Sequence, residues 1–259
     1  MRLGRYGHNY ENNAHNNNIM RKNDFWQDKR VLITGHTGFK GSWLTQWLHL
    51  LGAKIAGYAL EPEQGTNLFD QVEIKDKIIH TIGDVRDYEK LKYTILTFRP
   101  DLIFHLAAQP LVIESYLKPK LTWETNVLGT VNLLEATREL NEKCSLVIIS
   151  TDKVYKNKEW SYSYREEDLL GGNDPYSSSK AAMELAINSW RSSYCGNNKN
   201  QKDKLFISSV RAGNVIGGGD WSKDRIVPDV IRGLICNKKV LIRNPESKRP
   251  WQHVLDPLN

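Results

Sequence analysis

From Lys29 onward, short apolar runs alternate with longer segments of helical periodicity, and this alternation restricts the fold more than any other feature of the chain. A short run of consecutive apolar residues suits a strand that is buried on both faces, as in a parallel sheet. Parallel neighbours need a crossover between them, and the helical segments provide it. The sequence therefore predicts an α/β fold with a doubly wound parallel sheet.

The individual elements follow from the same pattern. We predict strands at residues 31–33, 54–60, 77–82, 102–106, 146–149 and 205–210. We predict helices at residues 42–51, 88–98, 121–140 and 175–194. The pattern is looser beyond Arg211, where residues 226–235 are predicted as a helix and residues 239–242 as a short strand.

Composition and charge argue against several classes of protein. No apolar run approaches the roughly 20 residues that cross a bilayer, and the N-terminus lacks the apolar core of a secretory signal. The three cysteines are far apart and without metal-ligand spacing, so we expect incidental thiols in a reducing cytoplasm and no metal site. The net charge of +6 is scattered. An anionic small molecule explains that scattered charge as well as nucleic acid does, so we expect no nucleic-acid partner. Because no apolar run is long enough to cross a bilayer, we expect no membrane partner either.

The first predicted strand runs directly into a glycine-rich turn. Gly35, Gly38 and Gly41 are followed by a predicted helix. Glycines permit a tight turn and a close approach of the backbone to a pyrophosphate, and the helix N-terminus attracts the anion. Such a turn alone is weak evidence, but its place between a strand and a helix predicts a dinucleotide site in a sheet of the Rossmann type.

Acidic residues near two further strand ends bear on the choice of dinucleotide. Glu61 is the acid nearest the end of the second predicted strand, and no arginine lies beside it, which favours NAD over NADP. Asp84 and Val85 follow the third predicted strand. We expect Asp84 to contact the dinucleotide, and the alternative is a turn-forming role without a ligand.

Tyr176 and Lys180 are four residues apart on a predicted helix, so their side chains share one face. A tyrosine with a pKa near ~10 is a poor base at neutral pH. A neighbouring ammonium and a positive nicotinamide ring would favour the phenolate, so we expect a lowered pKa for Tyr176. An exposed helical pair without function is the alternative, because this spacing arises easily by chance.

Taken together, these features resemble the extended short-chain dehydrogenase/reductase family, in its NAD-dependent epimerase/dehydratase group. The resemblance covers about residues 25–259 and implies that Thr151, Tyr176 and Lys180 are catalytic. It implies NAD as the cofactor. The implied cofactor contacts are Gly35, Thr37, Gly38, Phe39, Gly41, Asp84, Val85, Leu106, Ala107, Ala108, Gln109, Asn126, Tyr176 and Lys180.

Longer runs resemble the dehydratases of this group that act on CDP-glucose. These runs are residues 35–43, 150–155, 172–176, 211–221 and 249–254. The implied reaction oxidises C4 transiently and removes water across C5 and C6, yielding CDP-4-dehydro-6-deoxy-glucose for deoxysugar and lipopolysaccharide (O-antigen) biosynthesis. Asp152 is the implied acid. Lys153 stands where many relatives have a carboxylate base, so it is either a base or an electrostatic stabiliser of the enolate. Ordinary strand-end charges are the alternative for both residues.

The resemblance also implies substrate contacts, an assembly and a domain plan. Asn214, Arg225 and Arg249 would bind the sugar nucleotide, with a surface role as the alternative for Arg225. Helices 121–140 and 175–194 would pair in a homodimer, although a core role explains their apolar faces too. We predict a disordered tail at residues 1–24, a dinucleotide-binding domain at residues 25–210, and a partial substrate-binding region at residues 211–259.

Family members continue well beyond the 249–254 run, so we expect a small substrate lobe that is truncated at its C-terminus. Two other functions stay open at this point. One is a related epimerase or a dehydratase for another nucleotide. The other is an inactive NAD-binding fragment.

Overall fold

A computed structural model describes residues 25–196 and 204–259, so the predicted tail at residues 1–24 lies outside the described residues. The strands are β1 Arg30–Thr34, β2 Lys54–Ala59, β3 Ile79–Ile82, β4 Leu102–His105, β5 Cys144–Ile149, β6 Leu205–Val210, β7 Asn214–Ile216 and β8 Trp251–His253. The helices are α1 Phe39–Leu50, α2 Leu68–Gln71, α3 Tyr88–Phe98, α4 Val112–Leu117, α5 Pro119–Trp123, α6 Gly129–Arg138, α7 Pro175–Tyr194, α8 Ile226–Ile235 and α9 Leu255–Leu258. Short 3₁₀ turns lie at Lys75–Lys77 and Asp152–Val154, and a π-helical turn lies at Glu124–Leu128.

Six strands form one parallel sheet in the order β3-β2-β1-β4-β5-β6. The order reverses between β1 and β4, and ligands of such sheets bind outside the carboxyl ends of the strands at that reversal. The predicted doubly wound parallel sheet is confirmed.

The sheet is buried on both faces, which explains why its strands are continuous apolar runs. Side chains alternate across a strand, so Val31 and Ile33 enter one core cluster while Leu32 enters the other. The first cluster packs under α1, with Leu44 and Leu48. The second lies under α3, α6 and α7 and contains Leu91, Leu133, Met183, Ile103 and Leu146. The faces thus carry helices in two layers.

Most predicted elements are present, and four have the predicted bounds: α3, α7, β6 and α8. Helix α1 begins at Phe39 rather than at residue 42, because Gly38 is already its N-cap residue. The predicted helix 121–140 is interrupted by the π-helical turn at Glu124–Leu128. The predicted strand at residues 239–242 is wrong. Those residues form no strand, Leu241 is 86% exposed, and β7 pairs with β8 instead.

The region after β6 packs against the glycine-rich turn and α1. Nε1 of Trp43 donates a hydrogen bond to the carbonyl oxygen of Gly218 at 2.9 Å, and the Trp43 ring contacts His253 edge-on. Leu258 packs against the core cluster under α1. The domain boundary at residue 210 stays a prediction. In the described parts of the chain, no helix has both the length and the apolar character that crossing a membrane requires.

Candidate active site

The glycine-rich turn packs so closely against its neighbours that side chains are excluded from it. Gly35 has a φ of +73°, and a Cβ there would lie 2.7 Å from the backbone nitrogen of Ala107. A Cβ on Gly41 would lie 2.1 Å from the carbonyl oxygen of Gly35. The turn therefore presents bare backbone at the N-terminus of α1, beside the end of β4.

A cavity of about 610 Å³ opens above this turn, at the reversal of the strand order. Thirteen of the predicted cofactor contacts line it, namely Gly35, Thr37, Gly38, Phe39, Gly41, Asp84, Val85, Leu106, Ala107, Ala108, Gln109, Tyr176 and Lys180. The structure thus gathers residues from four separate stretches of the sequence into one cleft.

Asn126, the remaining predicted cofactor residue, does not line the cavity. It is buried and forms hydrogen bonds with Gln109, which does line it. Its Oδ1 accepts a hydrogen bond from the Gln109 backbone N–H at 2.8 Å, and its Nδ2 donates to the Gln109 carbonyl oxygen at 3.1 Å. Nδ2 also donates to Oγ of Ser179 at 2.9 Å. Asn126 lies in the π-helical turn, and such turns often occur at functional sites. It therefore ties the segment after β4 to helix α7.

Asp84 lines the cavity and forms a fork-like ion pair with Arg86. Nε of Arg86 lies 3.0 Å from both carboxylate oxygens, and Nη2 lies 2.5 Å from Oδ2. The hydrogen bonds from Arg86 hold the pKa of the Asp84 carboxyl below its usual range, against the opposing effect of burial. Arg86 lines the cavity too, as does the exposed Glu61. Arg86 was not predicted as a site residue, because a charged pair two residues apart is not a spacing that marks a binding site.

Tyr176 and Lys180 are positioned by the start of α7. The Asp174 side chain accepts a hydrogen bond from the Ser177 backbone N–H, and Pro175 occupies the first turn, so the helix begins at a fixed residue. Tyr176 and Lys180 are consequently buried on one face of α7. Nζ of Lys180 donates a hydrogen bond to the carbonyl oxygen of Ile149, the last residue of β5, at 3.2 Å.

Burial controls the titration of both side chains. It raises the pKa of Tyr176 to about 12, although a hydrogen bond from Thr151 and the charge of Arg225 act in the other direction. Burial, assisted by the charge of Lys40, lowers the pKa of Lys180 to about 7. The predicted lowering of the Tyr176 pKa is therefore wrong for this structure, because desolvation of the phenolate outweighs the neighbouring charges.

A hydrogen-bonded series extends from Tyr176 into the turn after β5. Thr151 bonds to Tyr176, and its hydroxyl donates to Oδ1 of Asp152 at 3.1 Å. Nζ of Lys153 lies 3.4 Å from the same Oδ1 and 3.4 Å from Oδ1 of Asn214. Thr151 also caps the 3₁₀ turn at Asp152–Val154, which fixes the direction of the two charged side chains. Four predicted catalytic residues thus form one series, namely Tyr176, Thr151, Asp152 and Lys153. The fifth, Lys180, bonds to Ile149 just before Ser150 and Thr151 in the chain.

Lys40 belongs to this site although sequence analysis did not select it. It lines the cavity, and burial together with the charges of Arg225 and Lys153 lowers its pKa to about 8. Its position inside the glycine-rich turn was the available signal.

The three predicted substrate contacts have different surroundings. Arg225 lines the cavity and forms an ion pair with Asp220 at 2.8 Å, and its role in binding the substrate stays a prediction. Asn214 contacts Lys153, as described above. Arg249 is exposed and lies outside the set of residues that line the cavity. Within the described residues, no group of three or more His, Cys, Asp or Glu could hold a metal ion.

Comparisons with known proteins agree with this geometry. A family model described as GDP-mannose 4,6 dehydratase matches residues 32–259. A CDP-glucose 4,6-dehydratase of Salmonella typhimurium is 50% identical over 236 residues, which are 91% of this chain and 66% of that protein. A dTDP-D-glucose 4,6-dehydratase of Dictyostelium discoideum is 30% identical, covering 83% of this chain and 50% of its own length. The chain thus spans less than two thirds of both relatives.

Solved structures share the fold. The crystal structure of a dTDP-glucose 4,6-dehydratase from Streptomyces venezuelae with NAD bound is 25% identical, with a TM-score of 0.76 over 88% of this chain and 69% of that one. A UDP-glucose 4-epimerase from Thermotoga maritima with UDP-glucose has a TM-score of 0.76 at 21% identity, over 88% and 71% of the two chains. The second likeness bears on the fold alone.

Proposed function

Because this chain belongs to the GDP-mannose 4,6 dehydratase family, we propose that it is a nucleotide-sugar 4,6-dehydratase that converts CDP-glucose to CDP-4-dehydro-6-deoxy-glucose and water with the help of NAD. The observation that carries this proposal is the series from Tyr176 through Thr151 and Asp152 to Lys153. It joins a candidate base for a sugar hydroxyl to an acid and an amine, which are the groups that elimination of water needs.

The residues present fit a dinucleotide. Gly35 and Gly41 let the turn pack tightly against Ala107 and against itself, and Gly38, the N-cap residue of α1, leaves bare backbone at the helix N-terminus where a pyrophosphate can bind. The ionised Asp84 carboxylate can accept a hydrogen bond from an adenine amino group. Arg86 is already paired with Asp84 and lies 3.7 Å from Glu124, so little of its charge is available for a 2′-phosphate, which favours NAD over NADP. When bound, NAD accepts a hydride from C4 of the sugar and returns it to C6.

Tyr176 begins the reaction by taking the proton of the C4 hydroxyl on its phenolate oxygen. The burial that raises its pKa makes the phenolate scarce at neutral pH, so the cationic groups around it must offset part of that cost. Arg225 already does so, and the Thr151 hydroxyl stabilises the anion when it turns from Asp152 and donates its one hydrogen to Tyr176. Oxidation at C4 then acidifies the proton on C5.

Asp152 and Lys153 carry out the elimination as a pair. Transfer of a proton from the Lys153 ammonium to Asp152, 3.4 Å away, yields a neutral amine and a carboxylic acid. The amine of Lys153 takes the C5 proton, and the Asp152 acid protonates the departing C6 hydroxyl, so that water leaves and the ion pair is restored. We therefore assign Lys153 the role of a base, which the sequence alone left open.

Thr151 closes the proton balance of the cycle. As C6 is reduced, Lys153 returns its proton to C5, and the Asp152–Lys153 pair is then one proton short. Tyr176 holds the proton from the C4 hydroxyl. A hydroxyl can accept one proton while it donates another, so Thr151 can pass this proton from Tyr176 to Asp152. Both halves of the reaction thereby return to their starting state.

Assembly, location and biological role are parts of the same proposal. The surface formed by α4, α5, the π-helical turn and α7 exposes large apolar side chains, including Tyr116, Leu117, Trp123, Leu128 and Leu185. Exposed apolar surface of this kind suits pairing with a second copy, so we propose a homodimer. We further propose a cytoplasmic enzyme that supplies deoxysugars for lipopolysaccharide.

Mass spectrometry tests the proposal directly. The purified chain is incubated with NAD and, in separate reactions, CDP-glucose, dTDP-glucose, UDP-glucose and GDP-mannose. We expect one water to be lost from CDP-glucose and not from the other three. Isomerisation without a change of mass would indicate an epimerase instead, and the absence of any product would contradict the proposal for this chain.

A further inference from the structure

A buried ion pair lies directly behind the catalytic residues and has no part in the steps above. Glu184 is one helical turn beyond Lys180 on α7, and its side chain is 5% exposed. Its Oε1 accepts a hydrogen bond from Nε of Arg211 at 2.9 Å, and its Oε2 accepts one from the Ser209 hydroxyl at 2.9 Å. The carboxylate is held ionised despite burial, because these donors keep its pKa below the usual range.

Arg211 connects Glu184 to the segment that follows the catalytic turn. Its Nη1 donates to the Tyr155 hydroxyl at 3.0 Å and to the carbonyl oxygen of Glu166 at 3.1 Å. Its guanidinium also lies over the Tyr155 ring, 5.0 Å from the centroid. Tyr155 is only two residues beyond Lys153, so Arg211 binds the residue that directly follows the Asp152–Val154 turn.

The backbone around Arg211 holds the near side of the same turn. The Ser150 N–H donates to the carbonyl oxygen of Val210 at 2.8 Å, and the Asp152 N–H donates to that of Ala212 at 3.1 Å. Arg211 stands between these two acceptors. The segment 210–212 therefore holds the turn that carries Thr151, Asp152 and Lys153, and the Arg211 side chain binds the helix that carries Tyr176 and Lys180.

Stability alone is a weak reason to bury such a pair. Removing two charges from water is unfavourable, and well-packed apolar residues often stabilise a core equally well. A charged pair does offer what an apolar contact lacks, namely directional hydrogen bonds that fix one geometry, and a carboxylate one helical turn from Lys180 whose charge acts on that ammonium.

We propose that Glu184 and Arg211 are positioning residues, which hold the Thr151–Lys153 turn in register with Tyr176 and Lys180, and that the negative charge of Glu184 favours the cationic form of Lys180. The mechanistic part of this inference rests on the proposed function. The electrostatic part does not.

The charges around Lys180 explain why Glu184 matters to it. Lys40 on α1 acts against the ammonium of Lys180, and so does burial. His105 on β4 is fully buried, and its lowered pKa of about 3 leaves it neutral at physiological pH. On α7 itself, Tyr176 is neutral at that pH because its pKa is raised. Glu184 acts in favour of the ammonium.

The test compares Glu184→Gln with Glu139→Gln in the full chain without substrate. Glu139 is a matched control: like Glu184 it accepts hydrogen bonds from a hydroxyl (Tyr88, 2.9 Å) and a cation (Lys92, 2.7 Å), but at an exposed site. Competitive acetylation with trace acetic anhydride from pH 5 to pH 10, read by peptide mass spectrometry, gives the titration midpoint of Lys180. We expect Glu184→Gln to lower this midpoint by about one pH unit, and Glu139→Gln to leave it unchanged. An unchanged midpoint in Glu184→Gln overturns the electrostatic part.

Arg211→Lys tests the positioning part and serves if Glu184→Gln does not fold. It keeps both charges but loses the forked contacts with Tyr155 and Glu166. We expect kcat for CDP-glucose to fall at least about 10-fold, with KM and the Lys180 midpoint nearly unchanged. Unchanged kcat overturns the positioning role. If the unsubstituted chain shows no dehydration, the proposed function fails, while the acetylation experiment still decides the electrostatic part.

Discussion

Nζ of Lys153 lies 3.4 Å from Oδ1 of Asp152, the residue that directly precedes it. Adjacent side chains seldom meet in a strand, because they point to opposite faces. Here the 3₁₀ turn at Asp152–Val154 brings them to one side. The contact makes an acid and an amine available as one unit, which is the basis of the first prediction.

Lys153→Arg should lose dehydration by at least about 10³-fold, because a guanidinium keeps the charge but cannot become a neutral base. The measurement is water loss from CDP-glucose, together with exchange of the C5 proton in D₂O. Lys158→Arg, at an exposed position five residues later, is the control and should be unaffected. Activity of Lys153→Arg within a few-fold of the unsubstituted chain would show that Lys153 acts only through its charge.

Thr151→Val should lower kcat by roughly 10²–10⁴-fold, since it removes the hydroxyl between Tyr176 and Asp152 while keeping a similar volume. Thr151→Ser retains the hydroxyl and should keep most of the activity. Steady-state kinetics of both variants provide the comparison. Equal losses in valine and serine variants would assign the effect to the methyl group and contradict the proton path.

Arg86→Gln should weaken NAD binding about 10-fold, because Asp84 would lose the partner that holds its carboxylate in place. Isothermal titration calorimetry measures the dissociation constant. Arg99→Gln, which removes an exposed ion pair with Glu142 elsewhere, is the control. Tighter binding of NAD in Arg86→Gln would mean that Arg86 competes with the cofactor for Asp84.

Gly41→Ala should destabilise the fold by about 3 kcal/mol or more, because the new Cβ would collide with the carbonyl oxygen of Gly35 at 2.1 Å. Gly218→Ala is the matched control. Nothing lies within 4 Å of a Cβ at that position, so we expect a change within about 0.5 kcal/mol. Urea denaturation measures both, and equal stabilities would contradict the tight packing of the turn.

The pH dependence of stability should reveal the buried Lys180. Its pKa is lowered from 10.5 to about 7 on folding, so between pH 7 and pH 10 the unfolded chain binds a proton that the folded chain does not. The contribution of Lys180 to stability therefore rises with pH across this window. Lys180→Met removes it, so this variant should be most favoured over the unsubstituted chain near pH 7 and lose that advantage toward pH 10. Urea unfolding at both pH values checks the trend.

The sequence predicted the sheet well because buried parallel strands leave apolar runs, as in β1 and β5. It predicted the bounds of α7 because Asp174 and Pro175 are strong local start signals. It failed at residues 239–242, where a run with strand composition has no neighbouring strand to pair with. The pairing of β7 with β8 joins residues almost forty positions apart, which no local pattern encodes.

For the candidate site, thirteen of the fourteen predicted cofactor contacts line the cavity, but the effects of charges on other elements could not be read from the sequence. The pKa of Tyr176 depends on its burial, and the pairing of Glu184 with Arg211 depends on how α7 packs against β6. Lys40 was visible in the glycine-rich turn, yet its approach to Arg225 follows only from the fold. Spacing finds residues on one element, whereas charges from separate elements require the structure.

The most direct test of the central claim uses CDP-glucose that carries deuterium at C4, incubated with the chain and NAD. Transient oxidation at C4 and reduction at C6 within one active site predict a product that has lost water and carries the deuterium in its C6 methyl group. A dehydrated product without deuterium at C6, or deuterium retained at C4, would contradict the account.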